Sequence, residues 1–531
     1  MKKFSSKIFI LIAVTFSLFN CSEFLEEDPK GKLSPDDFFS SKTDLDLAIT
    51  ALFAKFQAVV SRTGRGVYTY CADDVTSQNA GNKSRFAEYD MFNFNSGNSE
   101  LGDLYSVIWS AVKAANYIIK NAERTPAEEA FIHQRLGQAY FIRAYCYFHL
   151  VRLWGKIPIV TDLTIDYDRP REEVADVYEL IESDCMQAET MLPINHTVAP
   201  YFRYGINLAP TKGAAKALLA SVYITEAGWP LEKGAAYYDL AAAKYKEIID
   251  DEVAYGYKLE PNIIDLTIET ASNYSKEIVF GAFFNRSGSA ATSGDWYVGS
   301  LSELPEETNG FCDLIVELEF FNSMPDGPRK DAWILQDISI LGKVDPVTGV
   351  PPLVVPWDSS ETRQRHPHWR KNIDNGSWNY SKDEITGKVT YTNAGLSGRA
   401  SKTKFLFRYA DILLLYAEAK AFGSTGADEL AYTSLNRVRL RAGLSTFLFD
   451  ELSTEEFQQT VMDERRWETA GMELSCMNRF FTMQRHKILH LQADYRDPDD
   501  LPLNPALTLS EDFYYMPIPD RELLIVPSLN Q

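Results

Sequence analysis

Apolar positions recur at helical spacing from about residue 43 to residue 254, and again after residue 404. In 137–154, GQAYFIRAYCYFHLVRLW, residues Phe141, Ala144, Tyr145, Phe148 and Val151 fall on one face of a helix. Gly155 and Pro158 predict its end, since neither continues a helix well. The stretch 211–250 predicts a helix pair, KGAAKALLASVYITEA and GAAYYDLAAAKYKEIID, broken by Gly228-Trp229-Pro230. Small residues let the two helices approach closely, while Tyr237, Leu240, Tyr245 and Ile248 fill what remains. A further pair is expected in 406–443, where Tyr409, Ile412, Leu413, Tyr416 and Ala417 mark one face ahead of the turn FGSTGAD.

Helix pairs joined by short turns are the unit of tetratricopeptide-type repeats. No strict period of about 34 residues runs through them, so the expectation rests on unit type. The stretch 255–404 breaks the pattern. It is rich in Gly, Pro, Asn, Ser and aromatics, with Pro346, Pro351, Pro352 and Pro356 close together and Asp374-Asn375-Gly376 as a turn signal. Long helices cannot persist there. A loop-rich subdomain with a few short strands, such as Ile278 to Phe284, is expected, and loops on a rigid scaffold are where binding concentrates. The chain is thus read as mainly α, with helical parts at 43–254 and 405–531 and a loop-rich ligand-binding subdomain at 255–404 between them.

The N-terminus is of another kind. Lys2, Lys3 and Lys7 precede the apolar run Ile8 to Phe19, which is too short to span a bilayer and reads as an export signal over residues 1–20. In place of a small-residue cleavage site stands Leu18-Phe19-Asn20-Cys21, which resembles the lipobox of bacterial lipoproteins, where the cysteine becomes acylated. Phe19 and Asn20 are looser than the usual small residues there. Polar residues 22–42, with Pro29 and Pro35, then suit a tether from a lipidated Cys21.

Charge narrows the partners. The 531 residues carry a net charge of −21, and a cut before Cys21 leaves 511 residues at −24, because three lysines go with the leader. Such a surface repels phosphate backbones and anionic headgroups, which disfavours nucleic acid and leaves lipid as the means of attachment. The other cysteines, Cys71, Cys146, Cys185, Cys312 and Cys476, are odd in number and form no CxxC pair. That disfavours a disulfide framework or a thiolate zinc site.

No catalytic constellation is legible. There is no G-x-S-x-G elbow, P-loop or H-E-x-x-H, and Gly64-Arg65-Gly66 lacks the third glycine of a dinucleotide site. Asp73-Asp74 and Glu306-Glu307 could be drawn as a glycosidase acid and base, yet adjacent carboxylates in an acidic chain are usually solvated. His486 and His490 have i, i+4 spacing without a third ligand, and His366-Pro367-His368 is equally unsupported, so no metal and no cofactor are expected. Glu464, Arg465, Arg466 and Glu468 are read as ion pairs on or between helices.

Aromatics in the loop-rich part are better candidates. Sugar rings present an apolar C–H face that stacks on indole or phenol, while their hydroxyls need polar partners. Trp296 and Tyr297 lie in the turn-rich run RSGSAATSGDWYVGS, where a helix core does not explain them; Trp378 and Tyr380, in DNGSWNY, are a second pair, and Trp357 and Trp369 a third.

Taken together, the chain resembles the SusD/RagB family of surface nutrient-binding lipoproteins. After Cys21, the series Phe24-Leu25, Pro29, Phe38-Phe39 and Asp44 is similar to the family's opening signature. Ala139, Arg143, Ala144, Tyr145, Tyr147, Phe148, Gly155 and Pro158 match its most recognisable motif. Arg408-Tyr409-Ala410-Asp411, then Asn436, Val438, Arg439 and Arg441-Ala442-Gly443, match a second. Towards the C-terminus, Arg479-Phe480-Phe481 is displaced by about four residues and Val526 stands where asparagine is common. The resemblance implies a tetratricopeptide-type framework with an irregular binding subdomain and no catalytic activity. It also implies a partner, a SusC-like TonB-dependent outer-membrane barrel over which the lipoprotein sits at the cell surface. By position in the family, Asp73, Asn79 and Arg85 join Trp296 and Tyr297 as ligand contacts. The expected ligand is an oligosaccharide; the alternatives are a peptide, as some relatives are thought to take, a surface glycoside hydrolase, or a lid with no ligand, which would bury Trp296.

Overall fold

The computed structural model describes residues 38–530 except 62–66, 79, 165, 285–303, 309, 350–351, 372–377, 383–388, 394–401, 472–474 and 509. The helical frame begins with α1 (Lys42–Val60), α2 (Ser99–Asn121), α3 (Glu129–Trp154), α4 (Val174–Met191), α5 (Lys212–Ala227) and α6 (Ala235–Asp250). It resumes with α7 (Tyr409–Phe422), α8 (Glu429–Arg441), α9 (Thr454–Glu468) and α10 (Arg479–Arg485). From α1 to α6 each helix packs on its successor, and α6 packs on α7 across the whole loop-rich stretch. The stack is therefore one layered array, interrupted in sequence but continuous in space.

Helix α3 explains the strength of its motif. From Leu136 to Trp154 all but one of its residues are buried, polar ones included, so it runs through the middle of the array. Its buried Arg143 grips Asp184 of α4 with two bonds of 2.7 Å and Asn116 of α2 with one of 2.8 Å. A planar fork is suited to such a task, and it ties three helices at one point. Gly155 (φ 66°) ends the helix over the ring of Tyr515, which a Cβ there would meet at 3.0 Å.

The pair expected in 406–443 starts later than its apolar run suggests. Lys404–Arg408 forms strand β12, antiparallel to β4 (Ile278–Ala282). The Asp411 carboxylate accepts the Arg408 amide N–H at 2.9 Å, which fixes the first turn of α7 at Tyr409. Side chains of Phe405 to Phe407 thus pack from a strand, a periodicity that a short apolar run does not distinguish from a helix.

Residues Glu464, Arg465 and Glu468 of α9 are buried, not set on a helix surface. Glu468 meets Arg408 at 2.8 Å, Arg441 at 2.6 Å and Arg329 at 3.2 Å, and Glu464 meets Arg439 at 3.0 Å. Burial alone would raise the Glu468 pKa, but the three guanidinium groups hold it well below the carboxylate range. Glu418 of α7 likewise takes Arg465, Arg485 (2.6 Å) and His486 (2.9 Å).

Within 255–404 the longest described helices are six residues, Leu318–Ser323 and Pro328–Trp333. The strands there include β5 (Ile315–Val316), paired antiparallel with β1 (Val75–Thr76), and β10 (Trp378–Lys382), paired with β11 (Val389–Asn393). All five described cysteines are free and buried. Among the described residues no helix is long and apolar enough to cross a membrane.

Candidate functional site

The β1–β5 pairing brings the polar segment after α1 against the loop-rich region. Val75 lies opposite Val316 and Thr76 opposite Ile315, and beyond them Gln78 and Lys83 reach Phe311, Cys312 and Asp313. Gly310 sits so close to Leu304 that a Cβ would lie 2.0 Å from its carbonyl oxygen. Cys312, two residues on, has a left-handed φ of 48°. Non-glycine residues rarely hold that conformation, and where they do the surroundings impose it. Between them Phe311 is 47% exposed, a large ring lifted into solvent by a turn fixed on both sides.

Polar groups hold the turn. The Gln78 carboxamide donates to the carbonyl oxygens of Phe311 (3.3 Å) and Cys312, and accepts from Gln364 at 3.2 Å. Lys83, paired with Asp313, places its ammonium 5.7 Å from the Phe311 ring centre. Arg85 lies on the same segment with a side chain 43% exposed; its guanidinium stands 4.8 Å over Phe86 and 3.3 Å from Glu100. Beside this platform lies a cavity of about 290 Å³ lined by Ser77, Gln78, Gln364, His366, Asp499 and Asp500, among others. Buried His366 bonds the Val316 carbonyl (2.9 Å) and Asp500 (3.0 Å). Burial opposes its charge, but Asp500 raises its pKa above the ordinary value. The exposed ring face can stack a sugar ring, while Gln78 and Lys83, both buried and bonded within the protein, hold the turn that presents it.

Asp73 corrects the expectation placed on it. It is 2% exposed, and Arg479 takes both its oxygens at 2.7 Å, with Tyr495 (2.9 Å) and Arg466 (3.1 Å) on one of them. Its oxygens are thus occupied within the protein, and it anchors α10 to the segment carrying Gln78 instead of offering an acceptor to solvent. Burial would raise its pKa, yet Arg479 and Arg466 hold it far below the usual range. Its neighbour Asp74 is also buried, not solvated; burial and the Asp73 charge raise it to about 6, while the Gly471 N–H (2.8 Å) favours its ionised form. Glu306 pairs with Arg363 at 2.6 Å.

Trp296, Tyr297, Asn79 and Cys21 lie outside the described residues. Trp378 and Tyr380 occupy alternate positions of β10, opposite Asn393 and Tyr391. Trp369 is buried and Trp357 stands edge-on to Phe321 at 5.5 Å, which are packing roles. Phe311 and Gln78 were missing from the sequence reading; the signal was an aromatic directly after Asn309-Gly310, inside a stretch otherwise noted for its carboxylates. Among the described residues no cluster of three or more His, Cys, Asp or Glu could hold a metal ion; His486 serves Glu418, and His490 is exposed.

A layered helical-repeat frame carrying a loop-rich stretch defines the class, and the comparisons with known proteins give it a family. Residues 23–224 match a family model described as "Starch-binding associating with outer membrane", and residues 369–531 match that of the SusD family. The chain belongs to the SusD family. SusD-like protein P2 of Formosa agariphila is 27% identical over 546 residues, covering 99% of this chain and 98% of the relative. A solved structure named "Laminarin binding SusD-like protein" superposes with a TM-score of 0.69 at 21% identity, covering 92% of this chain and 98% of that one. Another, solved with a xylogluco-oligosaccharide, gives 0.70 at 19% identity over the same shares.

Proposed function

We propose that this chain is a lipid-anchored cell-surface protein that captures an oligosaccharide at the Phe311 platform and delivers it, uncleaved, to a SusC-like TonB-dependent outer-membrane barrel. The observation that carries the reading is the exposed Phe311 ring on its constrained turn, braced by buried Gln78 and Lys83 and set beside a polar cavity; Arg85, 43% exposed on the same segment as Gln78, is a proposed contact. The laminarin and xylogluco-oligosaccharide named for two fold relatives support a glycan as ligand. The withdrawal of Asp73 and Asp74 into the protein supports capture over hydrolysis, which requires two carboxylates facing the scissile bond. Leu18 to Cys21 supports the lipid anchor, and Trp296, Tyr297, Asn79, Trp378 and Tyr380 remain proposed contacts of the same ligand.

A second reading, peptide capture, draws on Asp497, Asp499 and Asp500 along the adjoining cavity, which would favour a basic peptide. Calorimetry against a panel holding laminarin, xyloglucan oligosaccharides and a lysine-rich peptide separates the two. Binding of a glycan that weakens in Phe311→Ala upholds the first reading; binding of the peptide alone overturns it.

A further inference from the structure

We propose a second saccharide-binding site, built around the hairpin tip at Tyr204 and sharing no lining residue with the cavity beside Phe311; the inference rests on the glycan-binding reading above. Strands β2 (Phe202–Arg203) and β3 (Ile206–Asn207) are joined by Tyr204-Gly205, both in the left-handed region, with φ of 52° and 79°. That two-residue turn suits Asn-Gly, and a tyrosine in its first position is disfavoured by the backbone. The ring gains little packing in return. It is 67% exposed; the Arg203 guanidinium stands 4.7 Å over it, and Tyr274, itself 50% exposed, meets it edge-on at 5.4 Å and 85°. A disfavoured backbone that holds an aromatic pair in water points to a task for the ring.

The hairpin is a fixed mount. Lys276 donates to the Gly205 carbonyl at 2.5 Å, and the Asn207 carboxamide bonds the His196 amide at 2.8 Å and Asn195 at 2.9 Å. Arg203 bonds the Tyr204 hydroxyl at 3.0 Å. Behind the tip opens a cavity of about 540 Å³ whose polar lining includes Asn195, Asn207, Tyr255, Ser275 and Lys276. Among the described residues no carboxylate lines it, although the chain has 74 acidic residues. Its polar groups are carboxamides, hydroxyls and an ammonium, which serve sugar hydroxyls, and the exposed tyrosine faces serve the C–H side of the ring. An extended peptide would instead add to a strand edge, and β2 and β3 are two residues long.

The test is calorimetry and affinity electrophoresis of the full chain against a polysaccharide panel that includes laminarin and xyloglucan. The proposal expects two sites in the wild type, one lost in Tyr204→Asn/Tyr274→Ala and the other in Phe311→Ala. Asn suits the turn, so the double variant should melt no lower than wild type. A single site lost in Phe311→Ala and unchanged in the double variant overturns the second site alone. Absence of glycan binding by the wild type overturns both readings, and a marked fall in melting temperature of the double variant assigns the tyrosines to packing and overturns the proposal.

Discussion

Phe311 and Asp74 show how differently an exposed and a buried side chain answer to substitution. Removing the half-exposed ring in Phe311→Ala should leave stability within about 0.5 kcal/mol of wild type, as for surface changes generally. It should weaken glycan binding about tenfold, the loss of one stacked ring, checked by calorimetry beside a thermal melt. Asp74 behaves in the opposite way. Its pKa is raised from the ordinary 3.8 to about 6 in the fold, so folding favours its protonated form. That contribution is present below 3.8 and is lost as pH rises through about 6. Asp74→Asn keeps an acceptor for the Gly471 N–H and should stabilise the protein by on the order of 1–3 kcal/mol at pH 8, with the gain vanishing below about pH 4, as read from paired melts across pH. At this scale the sequence was only partly legible. Arg85 stays a proposed contact, drawn from its place on a polar segment after a helix, whereas the burial of Asp73 depends on Arg479, more than four hundred residues away. Phe311 was hidden because its exposure comes from the contact of Gly310 with Leu304 and not from any hydrophobic pattern.

Among the elements, α9 is the clearest case of a motif whose role is packing. Its Glu468 is shared by Arg408 before α7, Arg441 at the end of α8 and Arg329 of the loop-rich part, so one carboxylate closes three segments. Glu468→Ala would leave three buried guanidinium groups to share the remaining Glu277, Glu464 and Asp411 carboxylates and should cost about 3–5 kcal/mol, measured as a fall in denaturation midpoint. Glycan affinity of the fraction that remains folded should be near wild type, since none of these groups lines the Phe311 cavity. Helices were the legible elements: α6 is buried along one side, as its 3.6 periodicity implies, α3 and α5 are buried nearly all round, and the Gly228-Trp229-Pro230 break falls between α5 and α6. Strand β12 was not legible, because Lys404–Arg408 is too short for its period to separate strand from helix and is fixed by distant partners, β4 and the Cys476 amide.

For the whole molecule, the packing of α6 on α7 makes the loop-rich stretch an outgrowth of one frame. The family motifs sit on that frame: Arg143 at the crossing of α2, α3 and α4, and Arg408 at the closure of the C-terminal helices. This is why the fold could be read from the sequence, while the proposed ligand contacts lie on segments with no such pattern. If Cys21 carries the proposed lipid, Cys21→Ala should move the protein from the membrane fraction to the soluble fraction of its host; persistence in the detergent-soluble membrane fraction would contradict the anchor. The central claim is capture of a glycan without cleavage, and its most direct test is titration calorimetry of the full chain with laminarin and xyloglucan oligosaccharides, each ligand recovered afterwards and sized by chromatography. The account predicts saturable binding of at least one glycan, weakened about tenfold by Phe311→Ala, with the ligand recovered at its original length. Binding of neither, or recovery of shortened products, would contradict it.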